Sequence, residues 1–272
     1  MKLAISGKGG VGKSTLAAVL ALLMARNGKR VLAVDADPDA NFASALGIPH
    51  DLQKTIVPIS QQIALIEERT GAKVKSYGQM FRLNPNVADV ADHCAFMYDN
   101  VALLVLGAID RGGSGCACPE SVFIRALVTD LILQKDDALI MDMEAGVEHL
   151  GRGTTRTVEA LLVVTEPTVK SVDAAGQIAK LAGDLGITRI YGVVNKVRDG
   201  KGEPFLSRLS ALGIAPLGII PFDPAVQQAE EEGRPVYDLP GGEGVRARIE
   251  EIATALEEHL GPFGRHGKGG RS

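Results

Sequence analysis

The densest chemistry in the chain lies near its start, in Gly7-Lys8-Gly9-Gly10-Val11-Gly12-Lys13-Ser14-Thr15. Glycines let a backbone curl until successive N–H groups converge on one anion, and a helix opening at the end of the run adds its partial positive charge. Lys13 brings an ammonium to the β- and γ-phosphates of a nucleotide, and the Ser14 hydroxyl offers a hard oxygen to Mg²⁺. Gly9, Gly10, Val11, Gly12, Ser14 and Thr15 would then line a phosphate cradle. Lys13 would also be catalytic, because negative charge spreads over a transferring phosphoryl group.

Two carboxylate segments and one cysteine pair complete the reactive inventory. Leu139-Ile140-Met141-Asp142 reads as an apolar strand ending in a carboxylate, the Walker B arrangement that places charge beside a phosphate-bound metal. Asp35-Ala36-Asp37-Pro38-Asp39 follows another apolar run. Cys116-Ala117-Cys118 sits between a glycine run and Pro119, where a helix would begin. Thiolates two residues apart can chelate one soft or borderline cation but leave a four-coordinate site half filled. A symmetric dimer doubles them to four sulfurs around one metal on its axis.

These groups need a rigid frame. Short apolar runs bounded by Gly, Pro or Asp alternate with helical patterns, the signature of a parallel sheet flanked by helices on both faces. Strands are expected at residues 2–6, 30–35, 101–106, 138–142, 161–165, 190–195 and 217–220. Helices are expected at 14–27, 119–133, 169–185 and 244–259, each crossing between parallel strands. The fold class is therefore α/β, a three-layer P-loop architecture with a mainly parallel sheet, read as one domain over residues 1–260. Residues 48–100 are less regular and read as an insertion over the carboxyl ends of the strands. Residues 261–272, rich in Gly with Arg265, Lys268 and Arg271, read as a disordered tail.

Composition removes several function classes. A chain of 272 residues, 46% apolar, can bury a large core, and a net charge of -4 gives no bulk basic field for nucleic acid or an acidic membrane. No apolar run approaches the ~18 residues of a membrane span, and no charged leader precedes the first strand, so a cytoplasmic protein is expected. Three cysteines are too few for a disulfide scaffold. Cys94, beside His93, reads as a buried or incidental thiol.

The string from Lys8 to Thr15 resembles the deviant Walker A loop of the ATPase family that includes MinD, ParA and the nitrogenase iron protein. That resemblance implies an ATP-sandwich homodimer in which Lys8 reaches across the two-fold axis to the partner's nucleotide, a second catalytic lysine. It makes the Asp37 segment a switch I, with Asp37 contacting the Mg²⁺ shell or orienting the attacking water. Met143-Glu144-Ala145-Gly146 becomes a switch II whose Gly146 amide senses the γ-phosphate. Asn195 and Lys196, in Val193-Val194-Asn195-Lys196, fall where the family binds adenine, and Pro221 and Asp223, in Ile220-Pro221-Phe222-Asp223, fall on its second base-side segment. The guanine-specific Asn-Lys-x-Asp pattern is broken by Arg198, so ATP is preferred over GTP.

The resemblance narrows at Gly112-Gly113-Ser114-Gly115-Cys116-Ala117-Cys118-Pro119-Glu120, taken with Asp142-Met143-Glu144-Ala145-Gly146-Val147-Glu148-His149. Together these are similar to the CooC family, accessory ATPases of nickel-containing carbon monoxide dehydrogenase, over nearly the whole chain. The similarity implies ATP/ADP and Mg²⁺ at the loop, Ni²⁺ or Zn²⁺ on Cys116 and Cys118, and carbon monoxide dehydrogenase as client, with acetyl-CoA synthase as the alternative client. His149 is read as a structural or switch residue. A positioning ATPase without a metal role would need a carboxyl-terminal amphipathic anchor or a basic face, and neither stands out. A [4Fe–4S] carrier would draw well-separated cysteines from each subunit, whereas a close pair suits a single ion.

Overall fold

The computed structural model describes residues 1–76, 78–108, 118–134, 138–147 and 158–261. In chain order it places β1 (Lys2–Gly7), α1 (Lys13–Arg26), β2 (Val31–Ala36), the short helices α2 (Phe42–Ala45) and α3 (His50–Gln53), α4 (Ile63–Thr70), α5 (Val90–Cys94), β3 (Phe96–Tyr98) and β4 (Val101–Val105). The second half adds α6 (Pro119–Gln134), β5 (Ala138–Met143), β6 (Ala160–Thr165), α7 (Val169–Asp184), β7 (Ile190–Val197), α8 (Glu203–Ala211), β8 (Ala215–Pro221), α9 (Pro224–Glu232) and α10 (Glu243–Leu260).

The strands form one sheet in the order β3-β4-β2-β5-β1-β6-β7-β8. All neighbours pair in parallel except β3, which runs antiparallel to β4 at one edge. Strands covered on both faces need not alternate polar and apolar residues, and β1, β2, β5 and β6 are buried almost end to end. Their side chains alternate between two cores. Leu3 and Ile5 of β1 join Ile140 of β5 and Leu162 of β6 under α1 and α10. Ala4 joins Leu139, Met141 and Val163 under α6 and α7.

The helices follow the same logic. α1 is apolar nearly all round, with Leu16 through Leu22 and Met24 buried, because it lies between the sheet and both α2 and α10. α10 is covered on one side only, and Val245, Ile249, Ile252, Ala253 and Leu256 make its inward stripe. Every expected strand and long helix is present, with ends shifted by a few residues. The insertion is more ordered than its polar turns suggested. It contributes α3, α4, α5 and edge strand β3, packs α4 on α6, and reaches the carboxyl end of β4 through the Ser60 N–H donating to the Leu106 carbonyl at 3.0 Å. The expected tail lies almost entirely outside the described residues.

Candidate functional site

β1 stands between β5 and β6, so the loop leaving its carboxyl end opens where neighbouring strands diverge, the usual place for a ligand in an open parallel sheet. The loop works only with glycines. Gly10 and Gly12 hold φ of 80° and 94°, the left-handed region costly for residues bearing a Cβ. A Cβ on Gly12 would also meet the Asn195 amide nitrogen at 2.4 Å, whereas one on Gly9 or Gly10 meets nothing within 4 Å. The loop is thus packed tightly against β7 on one side and open on the other, the shape of an anion cradle. Lys8 sits exposed on that open rim.

Behind the loop, Lys13 and three carboxylates crowd together. Lys13 is 5% exposed. Its ammonium stands 3.5 Å from Asp37 Oδ2, while Asp37 Oδ1 accepts the Asp39 N–H at 3.1 Å. Asp35 and Asp142 are partners in the β2–β5 register, two fully buried carboxylates side by side. Asp35 accepts the Phe42 and Asp37 N–H groups, at 3.0 and 3.2 Å. Burial pushes its carboxyl up to about 7, with Phe42 opposing and the charge of Asp142 adding to the rise. Burial pushes Asp142 up to about 6, against the neighbouring Ser14 hydroxyl and the Lys13 charge. Neither oxygen of Asp142 completes a hydrogen bond among the described residues, so Ser14 acts on it as a nearby dipole. Three carboxylates against one lysine, with two orphaned oxygens, leave an excess of hard oxygen donors and negative charge. That donor set suits Mg²⁺. Asp35 was missed as a site residue, although a second strand ending in Asp was its signal.

The Gly146 amide, expected to sense a γ-phosphate, donates at 3.2 Å to the Ser6 hydroxyl and at 2.6 Å to the Glu144 carbonyl. Ser6 Oγ also lies 2.8 and 3.0 Å from the Glu144 and Gly146 carbonyls. Ser6, fully buried near the end of β1 just before the phosphate loop, ties that strand end to the segment after Asp142. A lone polar residue at the end of an apolar strand was the sequence signal for it.

On the base side, Asn195 and Lys196 lean onto the phosphate loop. The Asn195 amide donates to the Val11 carbonyl at 2.8 Å, and the Lys196 ammonium donates to the Gly10 carbonyl. Asp223 caps α9, accepting the Ala225 N–H at 2.9 Å, so this carboxylate has a structural task of its own. Pro221 is exposed at the end of β8. With Val197 it borders a cavity of about 410 Å³ between α8 and α10 that contains no phosphate-loop residue. Arg198 lies 3.5 Å from the Phe222 ring and flanks the same side.

Cys118 is half buried at the start of α6, where the Ser121 N–H points at its sulfur from 3.4 Å and the Ser121 hydroxyl bonds its carbonyl at 3.1 Å. The sulfur thus faces the positive end of a sixteen-residue helix. Cys116 and His149 lie outside the described residues. Among the described residues no three His, Cys, Asp or Glu side chains form a complete metal site, either at Cys118 or at the phosphate corner, where Mg²⁺ would need phosphate oxygens beside the carboxylates. Cys94 is half buried beside Arg69 and Asp89, and burial is the main cause raising its thiol pKa. No described helix is long and apolar enough to cross a membrane.

Residues 2–236 match the CobQ/CobB/MinD/ParA nucleotide binding domain. An uncharacterised ATP-binding protein of Methanocaldococcus jannaschii is 46% identical, over 87% of this chain and 91% of its own. The carbon monoxide dehydrogenase accessory protein CooC of Rhodospirillum rubrum is 41% identical, over 96% of this chain and 98% of its own. In fold, the septum site-determining protein MinD of Pyrococcus horikoshii, solved with Mg-ADP, superposes with a TM-score of 0.62 at 21% identity, covering 96% of this chain and 97% of that one. The glycine cradle, the buried lysine–carboxylate corner and these likenesses lead to one statement: the chain belongs to the CobQ/CobB/MinD/ParA family of P-loop ATPases and, within it, to the group that includes CooC.

Proposed function

We propose that this protein is a Mg²⁺-dependent ATPase, acting as a homodimer, that carries a metal ion and assists nickel insertion into carbon monoxide dehydrogenase. The observation that carries the ATPase reading is the buried corner of Lys13, Asp37 and Asp142, whose orphaned oxygens and excess negative charge face the end of a glycine cradle. The likeness to CooC supplies the client. The reading is of one ATPase domain over residues 1–260, cytoplasmic, without a nucleic-acid or membrane partner.

ATP is the substrate, with its phosphates on the N–H groups between Gly9 and Thr15 and its adenine on the side of Asn195, Pro221 and Asp223. Ser14, Asp37 and Asp142 would hold Mg²⁺, which when bound offsets charge on the β- and γ-phosphates. Asp37 orients the water that attacks the γ-phosphorus, and the bond to the β–γ bridging oxygen breaks to give ADP and phosphate. Lys13 neutralises charge developing on the phosphoryl oxygens, and the partner subunit's Lys8 does the same from across the dimer. Because Ser6 holds the Gly146 amide, nucleotide binding has to break that link before the amide can turn to a phosphate.

Nickel is cargo, held by Cys116 and Cys118 of both subunits. A backbone path supports coupling between the two sites. The Leu106 N–H donates to the Asp35 carbonyl at 2.8 Å, and the Ser60 N–H donates to the Leu106 carbonyl. Gly107 is pressed so closely on Ser60 and Pro58 that a Cβ there would meet Ser60 Oγ at 2.4 Å. Movement of the Asp35–Asp37 segment is thereby passed to the chain that leads toward the cysteines.

The test is nickel content and subunit mass of anaerobic protein, with and without ATP, for wild type and the variant carrying Cys116→Ala and Cys118→Ala. One cysteine-dependent nickel per dimer, altered by ATP, is the expected result. Undiminished stoichiometric nickel in the double variant would reject the chelate while leaving the ATPase reading intact.

A further inference from the structure

Two successive carbonyls of the phosphate loop are held from outside by two successive residues at the end of β7. Asn195 holds the Val11 carbonyl and Lys196 the Gly10 carbonyl. In a trans peptide the carbonyl and the next N–H point in opposite directions. Fixing these two carbonyls therefore fixes the N–H groups of Val11 and Gly12. The first closes the loop onto the Lys8 carbonyl at 3.3 Å, and the second is directed away from β7. The loop's shape is imposed by its neighbours as well as permitted by its glycines.

Lys196 is itself under constraint. Its φ is 57°, a left-handed conformation that a non-glycine residue keeps only where its surroundings hold it. Its N–H donates to Asn195 Oδ1 at 2.8 Å, which couples the two holding side chains. Its ammonium also pairs with Glu166 Oε1 at 3.2 Å. Glu166 follows β6 directly, and its backbone N–H donates to the Ser171 hydroxyl at 2.9 Å in the first turn of α7. The ammonium is thus shared between a loop carbonyl and a carboxylate anchored on a different strand and helix. No other role for Glu166 emerges from the site.

We infer that Glu166 is a positioning residue for the phosphate loop, acting through Lys196 to keep the Gly10–Val11 peptide in the orientation that closes the loop on the Lys8 carbonyl and so sets the loop's shape for an anion. The inference rests on the reading that ATP binds this loop. Glu166 touches neither phosphate nor metal in this account. Its effect falls on the affinity of the loop for nucleotide and much less on turnover once nucleotide is bound. Both side chains are more than a third exposed, so solvent screens the pair and the effect is moderate. A carboxylate that merely repelled the phosphates would act with the opposite sign, because its neutralisation would tighten binding.

The experiment is a double-mutant cycle on the dissociation constant of fluorescent mant-ATP with Mg²⁺, using Glu166→Gln, Lys196→Met and the two combined, with saturated turnover measured alongside. Glu166→Gln is expected to weaken binding about threefold to fivefold and to change turnover by less than about twofold; Lys196→Met should weaken binding about tenfold. The combined variant should bind no worse than Lys196→Met alone. Affinity unchanged or improved in Glu166→Gln overturns the inference, as do losses that multiply in the combined variant. A wild-type chain that binds no mant-ATP would instead reject the ATPase reading, and this inference with it.

Discussion

The phosphate corner and the start of α6 handle charge in opposite ways. At the corner a single chain brings together a glycine loop held by β7, a buried lysine, and carboxylates set in register by adjacent strands. The corner is costly to bury: desolvation above all raises its carboxyls to about 7 and about 6. At α6, the described part of the chain presents one sulfur, backed by one N–H at 3.4 Å. Each site draws its order from a different source. The corner takes its order from folding. Among the described residues the Cys118 sulfur has the start of α6 behind it and no second ligand beside it, so the proposed metal would draw its other ligands from Cys116 and a second copy.

Removing the charge that balances the corner has the largest expected effect. Lys13→Ala should cut phosphate release by about a thousandfold or more, since it removes a group acting on charge that builds in the transition state. Retention of wild-type hydrolysis would show that the corner is not the reacting site.

A second variant tests the cost of burying the corner's carboxylates. The Asp142 carboxyl rises from 3.8 to about 6 on folding, so the folded chain holds that proton more tightly than the unfolded one. Below pH 4 both states are protonated and the shift costs nothing. The cost grows as pH rises from 4 to 6 and is complete above 6. Asp142→Asn should therefore stabilise the fold by up to about 3 kcal/mol at pH 8 in EDTA, roughly 8 °C in melting temperature, with most of that gain gone at pH 4. The same variant should lose at least about tenfold in hydrolysis. A gain undiminished at pH 4, or a loss at pH 8, would contradict the assignment of strain to this carboxylate.

The smallest effect separates the two described thiols. Cys94→Ser should leave nickel binding unchanged and shift stability by less than about 1 kcal/mol, because Cys94 is half buried near an Arg69–Asp89 pair that stands without it. Cys118→Ser should abolish the metal bound at the dimer. Equal losses in the two variants would remove the distinction between them.

Much of the frame was legible because it is local. Apolar runs closed by Gly, Pro or Asp located seven of the eight strands among the described residues to within a few positions, and helical patterns located α1, α6, α7 and α10. The missed strand, β3, has three residues and pairs antiparallel at an edge, so it has too few positions to show a period. α2, α3 and α5 have four or five residues each, too few to show a helical period, and α2 is held against α1.

Within the site, residue type and spacing were enough to mark which residues could bind phosphate and metal, because glycines before a helix, a lysine at its first turn and an aspartate ending an apolar strand carry their chemistry locally. The contacts those residues make were not legible there. Asp35 became part of the corner because parallel register set it beside Asp142, 107 positions away in the chain. Ser6 was joined to Gly146 across adjoining parts of the fold, and Asn195 and Lys196 were brought to the loop carbonyls by β7. Asp223 was drawn off to cap a helix. Hydrogen bonds and burial depend on distances between segments remote in sequence, and those distances exist only once the sheet has formed.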